Sequence, residues 1–123
     1  MIQVSELQSL FSQFINNNSQ IQGVILTNSE GLVLISALSS NLEEEKTAAI
    51  SSGVIDWVEK LFKEINKGEL DRIIIEGGKG YCVLVNCQHD VFLLVIAGKV
   101  LVKGRLFLEI KSLVKQIQSS LSS

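Results

Sequence analysis

The chain has 123 residues, a single-domain length, and its 46% hydrophobic and 20% charged content excludes a disordered polypeptide. A net charge of −2 and a pI of 5.4 leave no field to attract nucleic acid or an anionic membrane. The mean hydropathy of +0.34 is high for a small soluble domain, and a subunit interface is the simplest place to hide the excess.

The longest apolar run, Val91 to Ala97, is far short of the roughly 18 residues that cross a bilayer. No charged segment followed by an apolar one opens the chain, so the expected location is cytoplasmic, with no membrane insertion. Proline is absent, and element boundaries must fall on glycine, asparagine and serine.

In chain order, Leu7, Leu10, Phe11 and Phe14 repeat at helical spacing and predict a helix over Ser5–Phe14, opened by the capping pair Ser5 and Gln8. The polar run Asn16 to Ser19 ends it. Val24–Thr27 and Leu32–Ile35 predict a β-hairpin turning at Asn28–Gly31, and Leu38 to Ser40 a loop. Asn41, paired with Glu44, opens the longest helix, expected to end near Asn66 with Gly68 as its cap. Leu70–Glu76, Tyr81–Asn86 and Val91–Ala97 predict three more strands, separated by Gly77–Gly80 and Gln88–Asp90. The last strand lacks polar alternation, which predicts burial on both faces and a central position. A final helix starts near Lys103, with Leu106, Ile110, Leu113, Val114, Ile117 and Leu121 on its apolar side. Residues 1–123 thus form one α/β domain of order α-β-β-α-β-β-β-α, an antiparallel five-stranded sheet with helices on both faces, its closing serines 119–123 frayed.

The long helix carries too much apolar surface for one neighbour. At 100° per residue, Ile50, Val54, Trp57, Leu61 and Ile65 share one direction within roughly ±60°, and are expected to cover the sheet. Ala48, Ser51, Ile55, Val58 and Phe62 form a second set at about 80° to 160°. The arc is about 180° wide, against the ~100° that one contact requires. Ala48, Ser51 and Ser52 are small enough for close helix approach, so the second set is expected to meet the same helix of another copy. The alternative is that Ile55 and Phe62 pack within their own chain. The third strand, through Leu70, Arg72, Ile73, Ile74 and Ile75, is expected at the sheet edge, where pairing with its own copy would protect it.

The hairpin GVILTNSEGLVLIS (Gly23–Ser36), the strand GELDRIIIEG (Gly68–Gly77) and the segment GYCVLVN (Gly80–Asn86) resemble the Roadblock/dynein-light-chain domain family over about residues 5 to 118. The Gly31 hairpin and the Ile75–Gly80 turn are the most specific parts. The resemblance implies a five-stranded antiparallel sheet with the long helix on one face and the two terminal helices on the other. It also implies dimerisation through that helix and the third strand. Bacterial members often accompany small Ras-like GTPases, some stimulating GTP hydrolysis without an arginine finger; eukaryotic members scaffold GTPase regulators or attach to dynein.

No constellation for catalysis emerges. Gly77-Gly78-Lys79-Gly80 lacks the spacing of a phosphate loop and leads into a strand, not a helix. His89, the only histidine, sits in a polar turn without a recognisable nucleophile or metal partner. Cys82 and Cys87, an odd number of strand positions apart, fall on opposite faces and read as reduced, buried thiols. Glu43, Glu44 and Glu45 complement the positive end of the helix dipole. Arg72 and Arg105 are surface residues rather than arginine fingers, and Lys99, Lys103 and Arg105 mark a candidate surface for an acidic partner. The expected function is a homodimeric, non-enzymatic, cofactor-free regulator or scaffold of a small Ras-like GTPase. The alternative is a small-molecule sensor of profilin-like layout, which needs an open pocket between sheet and helix. An enzyme is the weakest alternative, without a nucleophile–base pair, metal set or cofactor loop.

Overall fold

A computed structural model describes residues 4–39, 41–99 and 103–122; Ser40 and Ser123, assigned above to a loop and to a fraying end, lie outside them. The elements follow in the expected order: α1 (Val4–Asn17), β1 (Ile21–Asn28), β2 (Val33–Leu38), α2 (Glu44–Glu64), β3 (Arg72–Gly77), β4 (Gly80–Gln88), β5 (Val91–Gly98) and α3 (Lys103–Ser122). The strands form one antiparallel sheet in the order β2-β1-β5-β4-β3. The unalternating β5 is its centre, buried from Phe92 to Val95.

Two apolar layers sandwich the sheet. On one face Leu7 and Phe11 of α1 and Leu106, Ile110, Leu113 and Ile117 of α3 pack on Val24, Leu26, Val83, Leu93 and Val95. On the other, Ala48 and Ile55 of α2 pack on Ile25, Leu84, Phe92 and Leu94. Cys87 belongs to the first layer and Cys82 to the second, and both are free thiols.

Several boundaries differ from the expectation for local reasons. The first turn of α2 begins after Glu43, not Asn41: Thr47 N–H donates to the Glu43 carbonyl at 2.9 Å, and no side chain caps the end. The helix stops before Gly68. Asn66 takes a left-handed conformation (φ 56°), Lys67 N–H donates to the Phe62 carbonyl and Asn66 N–H to the Lys63 carbonyl. This is a Schellman ending in which asparagine fills the position usually held by glycine. Gly68 (φ 85°) bends the chain afterwards toward β3. At the other end of the chain α3 runs to Ser122, and Ser120 within it is buried.

The larger correction concerns the faces of α2. Ala48, Ser51 and Ile55, expected at a helix–helix interface, are buried within the subunit, and Val58 and Phe62 pack against the same layer. Ile50, Trp57, Leu61 and Ile65, expected on the sheet, are exposed. The small residues serve close approach of helix to hairpin: a Cβ on Gly31 (φ 87°) would meet the Ala49 Cα at 3.1 Å, and Ser52 Oγ donates to the Ser29 carbonyl at 2.6 Å.

Two substitutions test this architecture by urea unfolding. Leu94→Ala, which empties the centre of the α2-side layer, should lower stability by about 2–5 kcal/mol. Asn66→Ala should cost about 1 kcal/mol because alanine resists the left-handed conformation, whereas Asn66→Gly should not.

Candidate interaction surface

Periodicity alone cannot choose which of two adjacent apolar sets on α2 meets the sheet. The structure turns Ile50 (61% exposed), Trp57 (74%), Leu61 (52%) and Ile65 (46%) to solvent, with Val54 half-buried beside them. Lys60 lies over the Trp57 ring at 5.6 Å and is held by Asp56 at 3.1 Å, so an ion pair borders the indole. A charged rim around an apolar centre is how protein interfaces are commonly built. The charged residues were the available clue: Lys46, Lys60 and Glu64 border the Ile50–Trp57 set on the helical wheel and mark it as the outward side.

The second feature is β3, which pairs only with β4 and ends the sheet. Ile73 packs toward α2, Leu70 just ahead of the strand is buried, and Ile74 and Ile75 are both 43% exposed. Among the described residues nothing pairs with the outer edge of β3. The opposite edge strand is better covered, since Gln8 of α1 donates to the Ser36 carbonyl of β2 at 2.8 Å and Ser36 Oγ bonds Glu44 of α2. An exposed apolar edge without proline invites pairing with another strand.

The proposed cationic surface is largely committed within the chain. Lys99 and Lys103 reach Glu76 at 2.7 and 3.2 Å and lie over the Tyr81 ring at 4.8 and 5.6 Å. Hydrogen bonds from Lys99 and then Lys103 hold the Glu76 carboxyl below its ordinary range, and Glu76 in turn raises Lys103. Arg105 pairs with Glu109 at 3.1 Å, and the Arg72 guanidinium lies over Phe107 at 5.9 Å. These contacts tie β3 and β5 to α3.

A cleft of about 840 Å³ opens at the C-terminal end of α2, between Phe62, Lys63 and Asn66 on one side and the β4–β5 turn on the other. His89 lines it as an exposed turn residue, together with Glu59, Glu69, Asp71 and Asp90. No group of three or more metal-ligating side chains occurs among the described residues. Ala48, Ile55, Leu84 and Leu94 fill the space between α2 and the sheet, where the sensor alternative needs a pocket. Within the described residues no helix is long and apolar enough to cross a membrane.

A family model described as the Roadblock/LC7 domain matches residues 7–97. The chain belongs to the Roadblock/LC7 family. Two uncharacterized proteins of Methanocaldococcus jannaschii are each 27% identical to this Roadblock/LC7 chain over 86 residues, 70% of it and 75% of the relative. Myxococcus xanthus MglB superimposes with a TM-score of 0.89 at 19% identity, covering 98% of both chains. A structure described as MglB with tetrameric arrangement gives 0.85 at 10% identity, over 95% of this chain and 88% of that one. At these identities the likeness of structure establishes the fold, which is the Roadblock/LC7 fold throughout.

Two measurements check the electrostatics. Burial pushes the Cys82 thiol up to about 11 and the Cys87 thiol up to about 12, so both are almost wholly protonated at pH 8. A disulfide reagent should react with them slowly in the native domain and at ordinary thiol rates in urea. Because the folded Glu76 carboxyl sits below its unfolded value, its stabilising contribution is present at neutral pH and disappears as pH falls through the acid range. Glu76→Gln should therefore lower Tm modestly at pH 7, with the difference shrinking as the pH falls and in high salt.

Proposed function

We propose that this Roadblock/LC7 domain is a cytoplasmic, non-enzymatic homodimer that binds a small Ras-like GTPase as a regulator or scaffold. The observation that carries the self-association is the outward apolar face of α2, with Trp57 74% exposed on a subunit whose other two helices pack on the opposite face of the sheet. The unpaired edge of β3 adds a second surface suited to another copy, by strand pairing through Arg72, Ile73, Ile74 and Ile75. A tetrameric arrangement of an MglB protein of the same fold is in keeping with association of such domains. The GTPase assignment follows from family membership and from the MglB likeness, not from a nucleotide or phosphate site on this chain.

In this reading the dimer surface consists of Ile50, Val54, Trp57, Leu61 and Ile65 with β3, in place of Ala48, Ser51, Ile55, Val58 and Phe62. Ser52 bonds to the hairpin turn and belongs to the subunit's own packing. Arg105 and the exposed parts of Lys99 and Lys103 are left at the rim of any partner contact.

Light scattering should give twice the subunit mass. Leu61→Lys should convert the protein to a folded monomer, while Ile55→Lys should unfold the subunit because it buries a charge against the sheet. A monomer at all concentrations in the wild type would remove the self-association. For the partner, GTPases encoded beside this chain should be retained by the immobilised dimer with a preference between GTP-analogue and GDP forms. Absence of retention in both states would refute the assignment.

A further inference from the structure

The cleft of about 840 Å³ at the C-terminal end of α2 has the size of a ligand pocket, roughly 300–1,000 Å³, but a charged lining where most such pockets are apolar. The exposed Glu59, Glu69, Asp71 and Asp90 line it against a single ammonium group, that of Lys63. Asp90, in a left-handed conformation (φ 67°), is turned to accept hydrogen bonds from the Ser29 backbone and hydroxyl. Among the described residues Glu59, Glu69 and Asp71 pair with no cation, and Lys63 pairs with no carboxylate. The last turn of α2 brings the negative end of the helix dipole to the same wall. A separate observation comes from Asn86, which also lines the cleft. Its backbone N–H donates to the Asp71 carbonyl at 2.8 Å, and Nδ2 donates to the Leu70 carbonyl at 3.4 Å. Its Oδ1 is buried without a hydrogen-bond partner. A buried acceptor left unpaired is costly and calls for a donor.

We infer that this cleft binds an arginine-bearing basic segment of a partner protein. Four carboxylates and a helix C-terminus select a cation, and they repel a phosphate-bearing ligand. A metal ion does not suit the site, because no group of three or more metal-ligating side chains occurs among the described residues. A guanidinium suits it well. It is planar, carries five donors in a fixed fork, and holds carboxylates two bonds at a time. Its apolar stem can lie on the half-buried Phe62 while the charged head meets Glu69 and Asp71. One of its N–H groups supplies the donor that Asn86 Oδ1 lacks, after a rotation of the amide resisted only by the long 3.4 Å bond to Leu70. A free polyamine brings the charge without the fork. The whole lining comes from one subunit, so the site is complete in a monomer and in the proposed homodimer alike. Its fate is therefore separate from that of the self-association.

The test is a titration of the full chain, labelled with nitrogen-15, with an end-blocked hexa-arginine peptide at low ionic strength. Backbone amide shifts should cluster at Glu59, Glu69, Asp71, Asn86 and His89, and the affinity should fall in high salt. The pair Glu69→Gln and Asp71→Asn changes exposed side chains only and should weaken binding by roughly fivefold or more. The pair Glu43→Gln and Glu45→Gln makes the same change of net charge at the far end of α2 and should alter affinity by less than roughly twofold. Spermine should bind more weakly than the peptide, and magnesium ions should leave the cleft amides in place. Shifts scattered over the whole surface, or equal loss in the two double variants, would overturn the site. Spermine binding as tightly as the peptide, or magnesium moving the same amides, would overturn the occupant.

Discussion

The constraint on which the rest depends is that α2 carries more apolar circumference than its own sheet can cover. The sheet takes Ala48, Ser51, Ile55, Val58 and Phe62. Neither α1 nor α3 can cover what is left, because both pack on the opposite layer. A large aromatic and three aliphatic side chains stay at least 46% exposed on a single helix face. Hiding one such side chain from water is worth about 1.5–3 kcal/mol when the transfer is complete, which is a substantial fraction of a small domain's net stability.

The elements were legible in the sequence because their signals are local. The Gly31 hairpin, the unalternating β5 and the stripe of α3 each follow from residue type and period, and the edge position of β3 follows from the long helix before it. Which face of α2 meets the sheet was not legible from hydrophobic periodicity alone. Hydrophobicity on a wheel is symmetric between two adjacent apolar sets, and small residues permit close approach to a sheet as readily as to a helix. The deciding contacts, Gly31 beneath Ala49 and Ser29 beneath Ser52, join positions about 20 residues apart, where no periodicity reaches. The cap at Asn66 was missed because glycine two residues later is the stronger statistical signal, although asparagine tolerates the same backbone conformation.

The cations near the start of α3 have intramolecular partners that a string of residues does not show. Clustered lysines suggest a docking patch when read as a string, but the fold folds them back onto Glu76 and Tyr81. Their contacts are local: they link Glu76 near the end of β3 to Lys99 just past β5 and to Lys103 at the start of α3. Arg72, stacked on Phe107, does the same at the other end of the strand. The charge pairs beside this edge strand are themselves half in water.

The two exposed apolar surfaces, the outer face of α2 and the edge of β3, are joined by a short connection. The Schellman ending at Asn66, the left-handed Gly68 and the buried Leu70 shape how α2 hands the chain to β3, and with it the position of the apolar helix face relative to the free strand edge. A partner that covered both surfaces would need an apolar face and an available strand at the same spacing. In the proposed homodimer a two-fold axis would carry each feature onto its own equivalent. The internal packing of α2, which fixes the direction of its outer face, and the free edge of β3 are therefore both set inside the subunit.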